Sequence, residues 1–315
     1  MLTVVKIFLA ALWLTVLPGC SRPVEKREAP RPRAPAPPNE LRVRFFAAGH
    51  GDSMLLSTTD GHRVLVDAGR FIGGDHLVRR RLVPWFKKHH IRRLDALLIT
   101  HPHPDHLGDP VMLRKHVAFN TIHTNLDGAV LFSTLAPGLH QAAGRPVRLV
   151  TLVQGDRLQF GRLRLRVLNP PKNAIPPSRV SRISDQNDRS LVLRVSYGTV
   201  KILLAADLTT KGEDQLLATR QPLFAHVLKL GHHGRGSTSE AWLKRVRPKH
   251  AIATCGDYLG RLQKVEPALV ARLKQHHVKL HRTDEHGDIV VITDGRKYWV
   301  KRHPEHRYRP PLRIR

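Results

Sequence analysis

An α/β fold organised on a large sheet is what this sequence predicts, and three observations predict it. Short apolar runs rich in Val, Leu and Ile recur along the chain, separated by Gly-Asp, Asp-Gly and Tyr-Gly-Thr turns. Between them lie stretches with helical spacing of apolar residues, such as Leu77, Val78, Leu82, Trp85 and Phe86 within His76 to His90. Four of the runs stop at histidine or aspartate: Val66-Asp67, Ile99-Thr100-His101, Ala205-Ala206-Asp207 and Leu230-Gly231-His232-His233. A sheet fold gathers such strand-end residues from distant sequence into one site.

Taken in order, the first twenty residues stand apart from the fold. Lys6 supplies a short positive region, Ile7 to Leu17 is an apolar run too short to span a bilayer, and Leu17-Pro18-Gly19-Cys20 closes it. The segment resembles a bacterial lipoprotein signal, which implies a lipidated Cys20 anchored in the membrane, although Pro18 departs from the small or aliphatic residue usual there. The expected location is outside the cytoplasm: the cell envelope, at a periplasmic or outer-membrane face, or the extracellular space. Residues 21–40 are rich in Pro, Arg, Ala and Glu, with little to bury, and predict a semi-extended tether. Of two cysteines only Cys255 then remains, so no intramolecular disulfide can form, and its place after Ala251 to Thr254 predicts a small buried residue at a strand end.

The folded domain is expected over residues 41–300. Leu41 to Ala47, Ser53 to Ser57 and Arg63 to Asp67 read as a strand meander, followed by the amphipathic helix and the strand Leu94 to Thr100. Residues 111–148 are poorly patterned, with a helix before a short strand at Thr121 to His123. Strands resume at 147–153, 157–160 and 163–168; a Pro-rich loop runs from Asn169 to Asp185; strands return at 190–196 and 200–205. The last third predicts helices at 211–219, 239–246 and 265–276, with strands at 225–230, 250–254, 278–282, 288–293 and 297–301. Residues 301–315, rich in Arg and Pro, read as a basic tail that is disordered or lies on a partner.

Fifty-three Lys and Arg against 25 Asp and Glu leave a formal charge of +28. Such an excess points to an anionic partner: nucleic acid, an acidic envelope polymer or a phospholipid surface. With aromatic residues at only 5%, phosphate contacts are expected to dominate any nucleic-acid binding, with weak sequence preference.

The chemistry concentrates at residues 101–106, His-Pro-His-Pro-Asp-His, behind an apolar strand and ahead of Leu107-Gly108-Asp109. Imidazoles and a carboxylate suit zinc, manganese or iron, and four donors within six residues exceed what one open catalytic ion needs. Pro102 and Pro104 remove backbone donors, which predicts a stiff extended loop rather than a helix. The chain has 21 histidines; His89-His90 and His276-His277, which lack such flanks, read as solvated.

Six segments carry a specific resemblance: Ala48-Gly49-His50-Gly51-Asp52-Ser53, Val64 to Gly69, Leu97 to Gly108, Asn187-Asp188-Arg189-Ser190-Leu191-Val192-Leu193, Ile202 to Leu208 and Leu228 to Gly234. In this order the chain resembles metallo-β-lactamase-fold hydrolases, and in detail the hydrolase domain of ComEC-type competence proteins. The resemblance implies a four-layer αββα sandwich with two divalent ions, Zn or Mn, at one edge. It implies that His101 and His103 hold one ion, that Asp105, His106 and His232 hold the second, and that Asp207 bridges both, with Asp67 orienting a ligand imidazole. Asp105 and Asp207 are the implied catalytic carboxylates, two ions activating a hydroxide for attack on a phosphodiester.

Two departures matter. The wider superfamily has a histidine just before the strand at Ser190, where this chain has Asn187-Asp188; either could complete the first ion, in an oxygen-richer site that favours manganese. His50 stands where ComEC-like proteins often have Gln, and Ala206 where they often have Gly; His50 reads as a turn residue or a substrate contact. Lys229, His233, Ser237 and Thr238 surround the Gly-rich stretch Gly231 to Gly236, which reads either as a phosphate-binding loop or as a linker into a helix capped by Ser237 or Ser239. The leading functional expectation is a secreted, lipid-anchored, metal-dependent phosphodiesterase or nuclease. The alternatives are a hydrolase of another ester or β-lactam, and a catalytically silent DNA-binding envelope lipoprotein.

Overall fold

A computed structural model describes residues 39–72, 75–174, 183–258 and 261–308. The expected signal segment, almost all of the tether and the end of the basic tail lie outside the described residues.

Two mixed sheets face each other. The first runs, in spatial order, Tyr298–His303, Asp288–Thr293, Leu41–Phe45, Ser53–Thr58, Arg63–Ala68, Ala96–Ile99, Thr121–Thr124, Arg148–Thr151. The second runs Lys279–Arg282, His250–Ala253, Val227–Lys229, Val200–Leu204, Val192–Tyr197, Leu163–Asn169, Arg157–Phe160. Alternation explains how each strand serves two layers: in Leu41–Phe45 the residues Leu41, Val43 and Phe45 are buried while Arg42 is exposed. The inward rows meet in one core, where Val43, Phe45, Leu56 and Val66 of the first sheet pack with Leu165, Leu193, Ile202 and Val227 of the second.

The opposite faces carry helices. Phe86 of Val83–Lys88, Leu113 of Pro110–His116 and Phe132 of Leu126–Ala143 pack on Leu65, Leu97 and Ile122 of the first sheet. Leu216 of Thr210–Leu217, Trp242 of Glu240–Val246 and Leu269 of Pro267–Gln275 cover Leu203, Leu228 and Ala251 of the second. The result is the four-layer αββα arrangement.

Four expectations are corrected. The motif segment is not all loop: His103 is extended (φ −66°, ψ 145°), but Pro104 then occupies the first position of a one-turn helix, Pro104–Leu107, where a missing N–H costs nothing. The poorly patterned stretch contains an 18-residue helix, Leu126–Ala143, capped by Asn125 Oδ1 accepting from Gly128 N at 2.7 Å. Gly128, Pro137 and Gly138 hide its periodicity. The chain also stays folded beyond residue 300: the last strand runs to His303, and His306 Nδ1 lies 3.3 Å from Asp288 Oδ2. In the helix expected over His76 to His90, the regular part is Val83–Lys88, preceded by a π-helical turn Val78–Leu82. Pro84 cannot donate, and its ring crowds the carbonyl four residues back, so the backbone widens there.

Candidate metal centre

Strand ends from both sheets converge on one edge. Asp67 closes one strand of the first sheet with a left-handed backbone (φ 57°), which turns its carboxylate toward the neighbouring strand. There it accepts from Thr100 N at 2.7 Å and Thr100 Oγ1 at 2.9 Å, and from His106 Nδ1 at 2.9 Å. Thr100 Oγ1, having given its hydrogen to Asp67, accepts from His101 Nδ1 at 3.1 Å. One buried carboxylate thus fixes the tautomers of two imidazoles and leaves both Nε2 atoms facing inward.

On the second sheet His233 is placed in the same way. Its Nδ1 donates to Thr254 O at 3.0 Å, leaving Nε2 3.2 Å from Asp105 Oδ2 and 3.4 Å from Asp207 Oδ1. The close turn that brings this about needs Gly231, because a Cβ there would come within 2.3 Å of Leu208 O. His232 and His233 both take left-handed backbone angles (φ 43° and 57°), as does Ala206 (φ 46°), just before Asp207. Non-glycine residues in that region store strain, which clusters where function requires a fixed geometry.

The donors form two groups that share Asp207. Asp105, His106, Asp207 and His233 make one, and His101, His103 and Asp207 the other; the ligand atoms within each group all lie within 4.8 Å of one another. His106 Nε2 is 3.1 Å from Asp207 Oδ1, and His101 Nε2 is 3.9 Å from Asp207 Oδ2. The Nε2 atoms of His101, His103, His106 and His233, together with Asp207 Oδ1, are buried without a hydrogen-bond partner. Buried polar atoms left unmatched are costly, and five on one point are what a cation would satisfy. The donor set therefore fits divalent metal, as the fold implies.

The electrostatics agree. Burial lowers His101 well below its ordinary value, reinforced by His106, and burial likewise lowers His103, so both are neutral donors. Burial also works against charge on His106 and His233, but nearby carboxylates, Asp207 foremost, outweigh it and hold both well above the usual imidazole range. Asp207 is itself held well below the usual carboxylate range by His106 and His233, despite burial. A cation replacing those protons would meet the same negative charge.

The structure redistributes several roles expected from the sequence. His233, not His232, stands in the four-donor group; His232 Nδ1 turns to Arg235 O at 3.1 Å, and its ring lines the mouth. Lys229 is no substrate contact: fully buried, it makes an ion pair with Asp52 and donates to Ala206 O at 2.8 Å. Ser237 and Thr238 are buried too; Ser237 Oγ donates to Gly231 O at 2.6 Å, and Ser239 rather than Ser237 caps the next helix. Asp188 points away from the donors, its Oδ1 accepting from Thr209 N at 3.0 Å and Thr209 Oγ1 at 2.7 Å. Asn187 Oδ1 is buried without a partner and lines the mouth, so of the two residues it is the one positioned to supply an oxygen. His50 also lines the mouth, 4.0 Å from Asp105 Oδ2, and burial lowers its pKa to about 3. Cys255 is buried, its thiol pushed up to about 12 chiefly by that burial, so it is inert.

Sequence reasoning missed Asp52, Arg235, Tyr258 and Gln263. The last three line a mouth of about 290 Å³ with His50, His103, Asp105, Asn187, Asp207 and His232. Asp52 lies at the foot of the centre, paired with Lys229 and accepting from Thr254 Oγ1. Gly51 lets this loop press onto the motif, since a Cβ there would stand 2.6 Å from Asp105 O. The segment Gly49 to Ser53 was visible as part of the resemblance, but nothing local marks Asp52 as the partner of a lysine in the other sheet.

Glu213 is a further buried carboxylate, accepting from the backbone N–H of Thr238 and, at 2.8 Å, of Ser239, and so anchoring the loop behind His233. Burial pushes it from 4.5 up to about 7, against the pull of those N–H groups. The folded carboxyl therefore holds its proton more tightly than the unfolded one. The associated stability is complete below pH 4.5 and is lost as pH rises through about 7. Over that window the wild type should lose about 3 kcal/mol relative to Glu213→Gln, from the one-unit equivalence of 1.36 kcal/mol. Urea unfolding of both chains at several pH values checks this; parallel profiles would refute it.

Imidazoles and carboxylates gathered at one edge of an αββα sandwich, in two donor groups around a shared aspartate, define a metallo-β-lactamase-fold protein with a candidate metal centre. The chain belongs to the beta-lactamase superfamily domain family, whose model matches residues 62–254. It is 30% identical over 264 residues to ComE operon protein 3 of Bacillus subtilis (strain 168), covering 80% of this chain and 33% of that protein. It is 32% identical over 259 residues to competence protein ComA of Neisseria gonorrhoeae, covering 82% and 33%. The chain thus spans about a third of the length of these curated relatives. Among solved structures it resembles the metallo-β-lactamase fold protein YhfI from Bacillus subtilis at 14% identity and a TM-score of 0.53, over 81% of this chain and 100% of that one. Among the described residues no helix is long and apolar enough to cross a membrane.

Proposed function

We propose that this protein is a metal-dependent phosphodiesterase acting on nucleic acid, exported and held at the cell envelope through a lipidated Cys20. The observation that supports the chemistry best is the sharing of Asp207 by two buried donor groups. His101, His103 and Asp207, with Asn187 beside them, would hold one divalent ion; Asp105, His106, His233 and Asp207 would hold the other. When bound, such ions supply positive charge to a phosphodiester and acidify water.

The chain's own residues do the rest. Asp67 and Thr100 keep His106 and His101 turned inward. Asp52, in reach of His233 Nδ1 at 3.4 Å, holds that ring against the sheet. At the mouth the exposed Arg235 offers a guanidinium to a phosphate oxygen, and Asp105 presents a carboxylate to water. The strongly basic composition supports a polyanionic substrate over a neutral ester or β-lactam.

One preparation of the full chain, expressed in a bacterial host, tests both halves of the reading. Membrane fractions should retain the wild type and release Cys20→Ser. The purified protein, supplied with manganese or zinc, should cleave plasmid or oligonucleotide, and His103→Ala should not. Binding of nucleic acid without cleavage under either metal would overturn the enzymatic reading.

A further inference from the structure

The first sheet is covered unevenly. Its helices pack on Leu65, Leu97 and Ile122, whereas over Tyr298–His303, Asp288–Thr293 and Leu41–Phe45 the covering thins to the edge of the first helix, where Trp85 stacks on Arg44 and Arg81 pairs with Asp288. Tyr298 and Val300 face the inner core, so Trp299 and Lys301 face outward. The registers Ile292↔Trp299, Arg42↔Ile292, Arg42↔Ser57 and Ser57↔Arg63 then set Trp299, Ile292, Arg42, Ser57 and Arg63 side by side on five strands. Four strand spacings make that row about 19 Å long. The next row carries Lys301, Val290 and Arg44.

All of these side chains except Trp299 line a trough of about 500 Å³, together with His89 and His303. Trp299, one of four tryptophans in the chain, stands 47% exposed at the end of the longer row. The nearby acids are largely neutralised: Asp288 pairs with Arg44 and Arg81, and Glu40 takes one contact from Arg42. Trp85 lines both the trough and a second cleft of about 440 Å³ walled by Arg81, Lys88, Arg307 and Tyr308, and the Tyr308 ring lies against Gly49, next to His50 at the mouth.

We propose that this thinly covered basic sheet face is the track for single-stranded nucleic acid, with a base stacked on Trp299 and phosphates held by Arg42, Arg63 and Lys301. An exposed indole beside a row of cations is what a flexible strand with π faces and regular phosphates recognises. Charge disfavours the chain's own basic ends, with Arg22, Lys26, Arg27, Arg31 and Arg33 before the domain and Arg309, Arg313 and Arg315 after it, and a second copy at +28, while the exposed indole favours a strand with π faces over an acidic polymer or phospholipid surface.

This deepens the nucleic-acid part of the proposed function but does not depend on the metal centre, so the two are tested apart. Binding is read by fluorescence anisotropy of a labelled oligothymidylate in EDTA, and catalysis by hydrolysis of bis(p-nitrophenyl) phosphate with manganese. Trp299→Ala should weaken oligothymidylate binding about tenfold and reduce the quenching of tryptophan fluorescence that accompanies it to the part due to Trp85. Arg42→Glu with Lys301→Glu should weaken binding further and lower the salt slope by about 1 to 2. Hydrolysis of the small diester should be unchanged in all variants, and thermal unfolding should confirm that they fold. Wild-type affinity and salt slope in both variants, or no binding by the wild type, would overturn the track. Retained, surface-dependent binding with no diester hydrolysis by the wild type would instead sink the catalytic reading and leave the track standing.

Discussion

Asp207→Ala is expected to reduce the proposed metal-dependent hydrolysis by about 10³-fold or more. Asp207 alone belongs to both donor groups, so its removal strips a ligand from each, whereas His103→Ala or His233→Ala strips one. It also leaves His106 and His233 without the carboxylate that contributes most to their raised basicity. The rate loss should therefore come with loss of bound metal from both positions, read by elemental analysis after dialysis. Asp207→Ala protein that kept both ions at full stoichiometry would show that the shared aspartate is not the keystone of the site.

The second large effect concerns folding. Lys229 and Asp52 form an ion pair with both side chains fully buried, and Lys229 comes from the second sheet while Asp52 leads into a strand of the first. Lys229→Ala leaves a carboxylate buried without its cation, and breaking a pair in this way costs about 3 to 5 kcal/mol. Part of the Asp52 charge is still met by Thr254 Oγ1 and the imidazoles of His106 and His233, which argues for the lower end. Urea unfolding in EDTA isolates this effect from metal binding. A loss under about 1 kcal/mol would mean that Asp52 takes up a proton cheaply and that the pair contributes little.

Much of the centre is legible in the sequence because its ligands sit at the ends of strands whose periodicity is strong. Asp67, the 101–106 motif and Asp207 are all found this way, and the αββα sandwich follows from the resemblance those segments carry. The choice between His232 and His233 is not legible, because adjacent residues share every local signal and only two successive left-handed backbone angles decide which ring turns inward. Lys229 misleads for a related reason. A lysine beside a glycine-rich stretch looks like a phosphate ligand until its burial partner is known, and that partner lies in the other sheet. The helix Leu126–Ala143 escapes because its two glycines and a proline blur the apolar spacing, while Asn125 and Gly144 close it at either end.

The strand Leu41–Phe45 lies between Ser53–Thr58 and Asp288–Thr293, so the beginning and end of the domain are neighbours in one sheet. The consequence is for a chain that emerges vectorially from a ribosome or a secretion pore. Ile289 and Val291 complete the central core beside Phe45 and Val43, and they arrive nearly last. Until then one side of the first strand is an open edge with unpaired backbone groups and an exposed apolar row, the kind of surface that aggregates or recruits chaperones. Productive folding must therefore wait for almost the whole domain, and truncations that remove Asp288–Thr293 should yield insoluble protein, however intact the metal ligands upstream.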